Sequence, residues 1–214
     1  MGPMPPHGQI LDFLAEADRL ALLDWAISHE REFRPAKVYR ATEGRGSVDP
    51  RMRTALKLRN LGPLADVMRE RLMAAFSQIS AAASYGGPGI HSIEFELNAY
   101  GEGSHFAPHI DIPVGSGRQP LAGEEGQDRV VSAVYYFYEE PKGFSGGALR
   151  LYRFGVNPEH ASQRDVVDFD PVQNSLVAFP SWATHSVETV HCPSGRFSDY
   201  RFALNCWFCR PLSG

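Results

Sequence analysis

Residues 98–111 read NAYGEGSHFAPHID, and the closing His109-Ile110-Asp111 sets the reading of the whole chain. In an extended segment, residues i and i+2 project from the same side. A strand over 105–111 therefore presents His109 and Asp111 to one metal ion. H-x-D alone is a common three-residue pattern, so a third ligand has to come from elsewhere. His185 follows FPSWAT and opens the alternating run HSVETV, at the mouth of an expected strand. Its rival is His191, which starts the turn-rich stretch HCPSGRFSD, where a loose loop would hold a ligand poorly. Two imidazoles and one carboxylate form the set that grips a non-haem Fe(II) while leaving positions open for substrate and oxygen. His105, four residues before His109, is expected on the same side of the strand as a neighbour of the ligands.

Composition narrows the setting. At 214 residues, with 43% hydrophobic and 21% charged residues, the chain is long enough for one well-cored domain, and residues 1–214 are expected to form a single one. A formal charge of -4 supplies no general basic field, so no nucleic-acid partner is expected. No apolar run is long enough for a membrane span. The opening MGPMPPHGQI lacks both the basic and the apolar parts of a signal peptide, so a cytoplasmic location is expected. Cys192, Cys206 and Cys209 are too few for a disulfide framework. The C-x-x-C of Cys206 and Cys209 lies inside an apolar strand-like run, which predicts buried, inert thiols.

Two textures divide the chain. Residues 9–14 suit a short strand or a helix entry, and 16–33 and 62–82 show helical periodicity, the second with Pro63 in its first turn. Between them, Arg34 to Arg53 reads as a mobile connection flanked by short extended pieces. It carries a local basic patch of Lys37, Arg40, Arg45, Arg51 and Arg53. From His91 onward, short runs rich in Val, Tyr, Phe and Leu alternate with turn residues. Strands are expected at 92–100, 105–111, 130–138, 147–153, 165–169, 174–179, 184–190 and 200–209. Eight short strands after two helices predict a mainly β fold, a jelly-roll core with the helical part, about 1–85, buttressing one face of the 91–210 region.

The last of these runs, RFALNCWF, places Arg201, Ala203, Asn205 and Trp207 on one face and Phe202, Leu204, Cys206 and Phe208 on the other. With an apolar second face, the strand is covered on both sides. A buried guanidinium is very costly unless it meets a carboxylate. Its partner is either an internal Asp or Glu, or a dicarboxylate ligand held by the planar fork.

The ordered segments NAYGEGSHFAPHID, RVVSAVYYFYEE, FSGGALRLY, VVDFDPVQNSLVAFPSWATHSV and YRFALNCWF resemble the Fe(II)/2-oxoglutarate-dependent dioxygenases. The likeness is to the prolyl 4-hydroxylase-like branch that includes the oxygen-sensing prolyl hydroxylases, and it runs from about residue 93 to 208. It implies a double-stranded β-helix of the cupin-like kind. It also implies His109, Asp111 and His185 as iron ligands, and Arg201 as the group paired with the distal carboxylate of 2-oxoglutarate. Tyr100 matches a second contact to that carboxylate, Tyr136 and Leu149 match co-substrate pocket positions, and Asn205 and Trp207 share the Arg201 face. The implied cofactors are Fe(II), 2-oxoglutarate and O2, with ascorbate as an optional reductant.

The implied reaction is hydroxylation at carbon, coupled to decarboxylation of 2-oxoglutarate to succinate and CO2. An intact Asp111 argues against a halogenase. The branch suggests a prolyl or other residue of a protein or peptide as substrate, contacted through segments 34–53 and 112–128. A free amino acid or other small molecule, and a non-catalytic jelly-roll binding module, are the competing readings. Two departures from the family pattern stand out. Arg201 lies sixteen residues after His185 where about ten is usual, which makes Arg196, in the intervening loop, a rival anchor. A Gly/Pro/charged insertion follows Asp111, from Pro113 to Arg129, where lids and substrate clamps often lie.

Overall fold

The computed structural model describes residues 2–38, 47–112 and 127–211. Strand β1 (Gly8–Ile10) precedes helix α1 (Glu16–Ser28), and β2 (Arg34–Pro35), β3 (Arg53–Thr54) and β4 (Leu56–Leu58) follow. Helices α2 (Leu64–Ala74) and α3 (Phe76–Ala82) lead into β5 (Ser92–Tyr100) and β6 (His105–His109). The rest is sheet: β7 (Gln127–Phe137), β8 (Ser145–Gly146), β9 (Leu149–Tyr152), β10 (Val166–Phe169) and β11 (Ser175–Pro180). The chain closes with β12 (His185–Val187), β13 (Val190–His191) and β14 (Arg201–Pro211).

A seven-stranded sheet in the order β1-β11-β7-β14-β5-β4-β2 faces a five-stranded one, β10-β9-β12-β6-β3, and every pairing is antiparallel. Strand parity decides what each face buries. On β14, Phe202, Leu204, Cys206 and Phe208 join Tyr135 and Phe137 of β7 and Leu97 of β5, against Leu22, Met68, Leu72 and Ile79 of the three helices. The opposite parity, Ala203, Val134, Tyr136, Val177 and Phe179, packs with Leu149 and Leu151 of the smaller sheet. The helix-buttressed jelly roll expected from the sequence is the architecture found.

Several boundaries differ from expectation. The helix expected over 16–33 stops at Ser28 and continues as a single 3-10 turn, Glu30–Glu32. That expected over 62–82 divides at Ala75, whose φ of -90° and ψ of 2° break the α-helical run. The run 184–190 splits into β12 and β13, because Val190 leaves the small sheet to pair with Gly146. Short strands β2, β3 and β4 add edges to both sheets, so the 34–53 region is tied in at its two ends. Arg53 is its clearest correction: it is a buried residue of β3, not part of a solvated basic loop. Arg40 and Arg45, and nearly all of the 112–128 insertion, lie outside the described residues.

Candidate active site

The cavity between the two sheets is lined by groups from both. From the small sheet come Phe106, His109, Leu149, His185 and Val187. From the large one come Tyr100, Ser132, Val134, Arg201, Asn205 and Trp207, with Asp111 at the rim between them.

His109 and His185 face each other as cross-strand partners of β6 and β12, with ring centroids 4.2 Å apart. Each ring Nδ1 lies 2.9 Å from the carbonyl two residues earlier, of Ala107 and Ala183 respectively. An Nδ1–H donated to that carbonyl turns each Nε2 lone pair toward the cavity. Asp111 sits between them, with Oδ1 3.8 Å from His109 Nε2 and Oδ2 3.5 Å from His185 Nε2. One ligand atom from each of the three lies within 4.8 Å of the others, the chemistry and spacing of a site for one metal ion.

The expected strand over 105–111 ends at His109, and Asp111 lies beyond it in a bend. β12 begins at His185, so past that point β6 has no partner to pair with. Asp111 is held instead by its N–H donating to Ser181 O at 3.0 Å and by Ser132 Oγ donating to Oδ2 at 2.7 Å. Burial pushes the Asp111 carboxyl up, but His185, His109 and the Ser132 hydroxyl outweigh it and leave the carboxyl below its ordinary value. His109 is held well below the ordinary imidazole value, by burial first and by His185 second.

A bulge in β6 corrects the expectation for His105. Val187 pairs with Phe106 while His185 pairs with His109, so three residues of β6 span two of β12. Phe106 and His109 thus share the cavity side, and His105 turns out to Thr54 Oγ1 at 2.8 Å. Phe106 stacks on the His109 ring at 3.5 Å, and Arg53 Cζ lies 4.6 Å from the centroid of the Phe106 ring. One face of that ring is already covered, so Arg53 takes the other. Arg53 is fixed in turn by Glu96 Oε1 at 2.9 Å and Asn98 Oδ1 at 2.5 Å.

At the inner end, Arg201 is 1% exposed and makes no ion pair among the described residues. Its Nε and Nη1 are buried without a hydrogen-bond partner, and so is the Tyr136 hydroxyl. The guanidinium lies between the Tyr100 and Tyr136 rings, 4.8 Å from each centroid. Burial, opposed by Arg201, pushes the Tyr136 hydroxyl up to about 12, so it stays a neutral donor at ordinary pH. Gly147 (φ +71°) admits this packing, since a Cβ there would stand 2.6 Å from Arg201 Cδ. Arg196 is elsewhere: its side chain is 73% exposed and pairs with Asp199 at 2.9 Å. His191 is likewise outside the cavity, beside Glu102 on the surface.

Eight of the nine expected site residues, His109, Asp111, His185, Arg201, Tyr100, Leu149, Asn205 and Trp207, line this one cavity, and the ninth, Tyr136, stands behind them against the Arg201 guanidinium. The sequence matches the 2OG-Fe(II) oxygenase superfamily over residues 95–209, more than half of its length. The chain belongs to that superfamily. It is 28% identical over 209 residues to an uncharacterized PKHD-type hydroxylase of Synechocystis sp., covering 97% of this chain and 64% of that protein. The chain thus spans a little under two thirds of that relative's length. Among solved structures, a prolyl hydroxylase of Trichoplax adhaerens, in complex with a hypoxia inducible factor oxygen degradation domain peptide fragment, superposes with a TM-score of 0.67. The two share 19% identity, over 95% of this chain and 83% of that one. A prolyl-4-hydroxylase of Pseudomonas putida gives 0.61 at 23% identity, over 96% and 94%.

The superfamily's members are oxidoreductases that use Fe(II), 2-oxoglutarate and O2. The donor set suits that chemistry: two imidazoles and a carboxylate at one end of a cavity, and orphaned cationic donors at the other. Three contributors were not singled out from sequence, Ser132, Phe106 and Arg129, and Arg53 was read only as a member of a basic patch. Ser132 shares strand parity with Val134 and Tyr136, a signal that could have found it. Arg129 donates to the Asp111 carbonyl at 3.3 Å, and its Cζ lies 3.9 Å from the centroid of the Trp207 ring. No helix of the described residues is long and apolar enough to cross a membrane.

Proposed function

We propose that the chain is an Fe(II)- and 2-oxoglutarate-dependent hydroxylase acting on a prolyl or other residue of a protein or peptide. The observation that carries this reading is Arg201. A guanidinium nine-tenths buried with unpaired N–H groups is sustained only where a carboxylate is meant to meet it. Arg201 and the Tyr136 hydroxyl, with Tyr100 beside them, receive the distal carboxylate of 2-oxoglutarate. His109 Nε2, His185 Nε2 and Asp111 hold Fe(II) at the other end. When bound, the iron with 2-oxoglutarate and O2 supplies the oxidising power for hydroxylation, and succinate and CO2 are released.

The protein's own work is positional. The Ala107 and Ala183 carbonyls hold both imidazoles as Nε2 ligands, and Ser132 orients the Asp111 carboxylate. Leu149, Val134 and Trp207 form cavity wall that excludes water, and Asn205 offers a polar group on the Arg201 face. The peptide preference is supported by the fold shared with prolyl hydroxylases, one of them bound to a peptide fragment. Helices and sheet share one core, which supports reading the chain as a single domain. Three buried free thiols favour a reducing, cytoplasmic setting. The test is succinate release and a gain of one oxygen in candidate peptides, with Fe(II), 2-oxoglutarate and ascorbate supplied. His109→Ala is the control, and protein that binds neither Fe(II) nor 2-oxoglutarate would end the proposal.

A further inference from the structure

One edge of the cavity carries a charge arrangement that the iron and 2-oxoglutarate ends do not use. Glu96 is buried and receives three cations: Arg53 Nη2 at 2.9 Å, Lys57 Nζ at 3.0 Å and Arg59 Nε at 4.0 Å. Arg34, the register partner of Lys57, does not join them, because its guanidinium donates to the Arg31 and Phe33 carbonyls. Among the described residues, three cations against one carboxylate leave a local excess of positive charge in a chain whose formal charge is -4. The cluster is also short of acceptors. Arg53 has a side chain 6% exposed, and its Nε is buried without a hydrogen-bond partner. Arg59, by contrast, is 59% exposed, and its one acidic neighbour among the described residues already serves two closer cations.

The cluster's place in the fold gives this excess a role. Glu96 is in register with Asn205 and Arg53 with Phe106, and both of those partners line the cavity. Adjacent strands lie about 5 Å apart, so the cations border the cavity one to two strand spacings from its lining. An extended peptide advances about 3.3 Å per residue. A side chain on such a peptide would therefore reach Arg59 and Lys57 two or three residues from the residue in the cavity.

The geometry points to an acidic peptide as the substrate, with an Asp or Glu two or three positions from the hydroxylated residue docking on Arg59 and Lys57. This rests on the peptide-hydroxylase reading and specifies its substrate class. Mixed charges elsewhere on the surface do not compete for that role. Arg129 is matched by Glu94, Arg150 by Asp168 and Glu188, and Arg210 by Asp128.

The test is a set of proline-containing peptides in which one Asp is moved from four residues before to four residues after the proline. Isosteric Asn and charge-reversed Lys series run beside it. Oxygen gain is read by mass and co-substrate turnover by succinate. The expected result is a kcat/KM about tenfold higher for Asp than for Asn at the matching position. That advantage should fall as salt rises from low to physiological strength and vanish in Arg59→Glu. In that variant, retained thermal stabilisation by Mn(II) and 2-oxoglutarate shows an intact fold. Equal turnover of the three series, a preference for Lys, or an Asp preference that survives Arg59→Glu would overturn the acidic-substrate inference while leaving the hydroxylase reading intact. Oxygen gain in no peptide of any charge, with 2-oxoglutarate still consumed, would overturn the peptide reading itself.

Discussion

Replacing Arg201 by Met separates a ligand anchor from an internal ion-pair member. If Arg201 had an internal carboxylate partner, its removal would leave that charge buried and cost about 3–5 kcal/mol. The structure offers no such partner; what Met would forfeit is contact with the two flanking tyrosine rings, each worth about 1 kcal/mol, and what it relieves is a buried unpaired charge. These terms oppose each other, so the ligand-free variant should lie within about 2 kcal/mol of wild type. The ligand-bound states should differ sharply. At 2-oxoglutarate one hundred times its Kd, binding stabilises wild type by about 2.7 kcal/mol. At about 2–4 °C per kcal/mol for a protein of this size, that is a rise in Tm of about 5–11 °C. Losing a buried charge pair with the ligand costs about 2–5 kcal/mol, at least about thirtyfold in affinity, so at the same concentration the stabilisation should fall to about 0.9 kcal/mol or less, a third of the wild-type rise at most. Differential scanning fluorimetry with Mn(II), with and without 2-oxoglutarate, reads both numbers. A ligand-free Arg201→Met destabilised by 3 kcal/mol or more, yet still raised by 2-oxoglutarate as wild type is, would refute the reasoning.

Three further outcomes are expected. Gly147→Ala pairs a left-handed backbone with a Cβ 2.6 Å from Arg201 Cδ, so 2-oxoglutarate affinity should fall about tenfold with a stability loss of about 1–3 kcal/mol, measured by titration and urea unfolding. Arg53→Met removes the outer layer of the stack on His109 and strips Glu96 of its closest partner. A loss of about 3 kcal/mol and of about tenfold in Mn(II) affinity is expected, and an unchanged affinity would show that the stack does not hold the ligand. For pH, the folded His109 value lies below its unfolded value of about 6.5, so the unfolded chain takes up the proton first as pH falls. The His109 contribution is therefore complete above about pH 6.5 and lost below it, by at most about 1.4 kcal/mol per pH unit. The lowered Asp111 carboxyl adds loss of the same sign below about pH 4. Urea midpoints of metal-free protein should fall from pH 7 to pH 5, and less steeply in His109→Gln.

Legibility followed the range of the physics. The eight core strands could be read because alternation with period two is a property of each segment by itself, and β14 shows it most plainly. The β6 bulge could not be read: nothing in Ser104 to His109 signals that Val187 and His185 will pair three residues apart. Parity therefore assigned His105 to the wrong side and overlooked Phe106. Extended pieces flanking the 34–53 connection were legible, but the sheet pairing of β2, β3 and β4 was hidden. These strands are two or three residues long and owe their conformation to the edges they pair with, not to their own composition.

What sequence alone determined was a donor inventory in order: two ligands two residues apart, two candidate imidazoles for the third place, and two candidate arginines for the far end. Choosing within those pairs was left to tertiary structure. His185 opens a strand directly opposite His109, whereas His191 has left that sheet; Arg201 is enclosed by two tyrosines, whereas Arg196 meets Asp199 in solvent. The Arg53–Glu96 pair, 43 residues apart in the chain, likewise exists only once β3 and β5 meet across the cavity. Local periodicity says which side of a strand a residue takes. Which strands meet, and so which charges are buried together, depends on the packing of the whole sandwich.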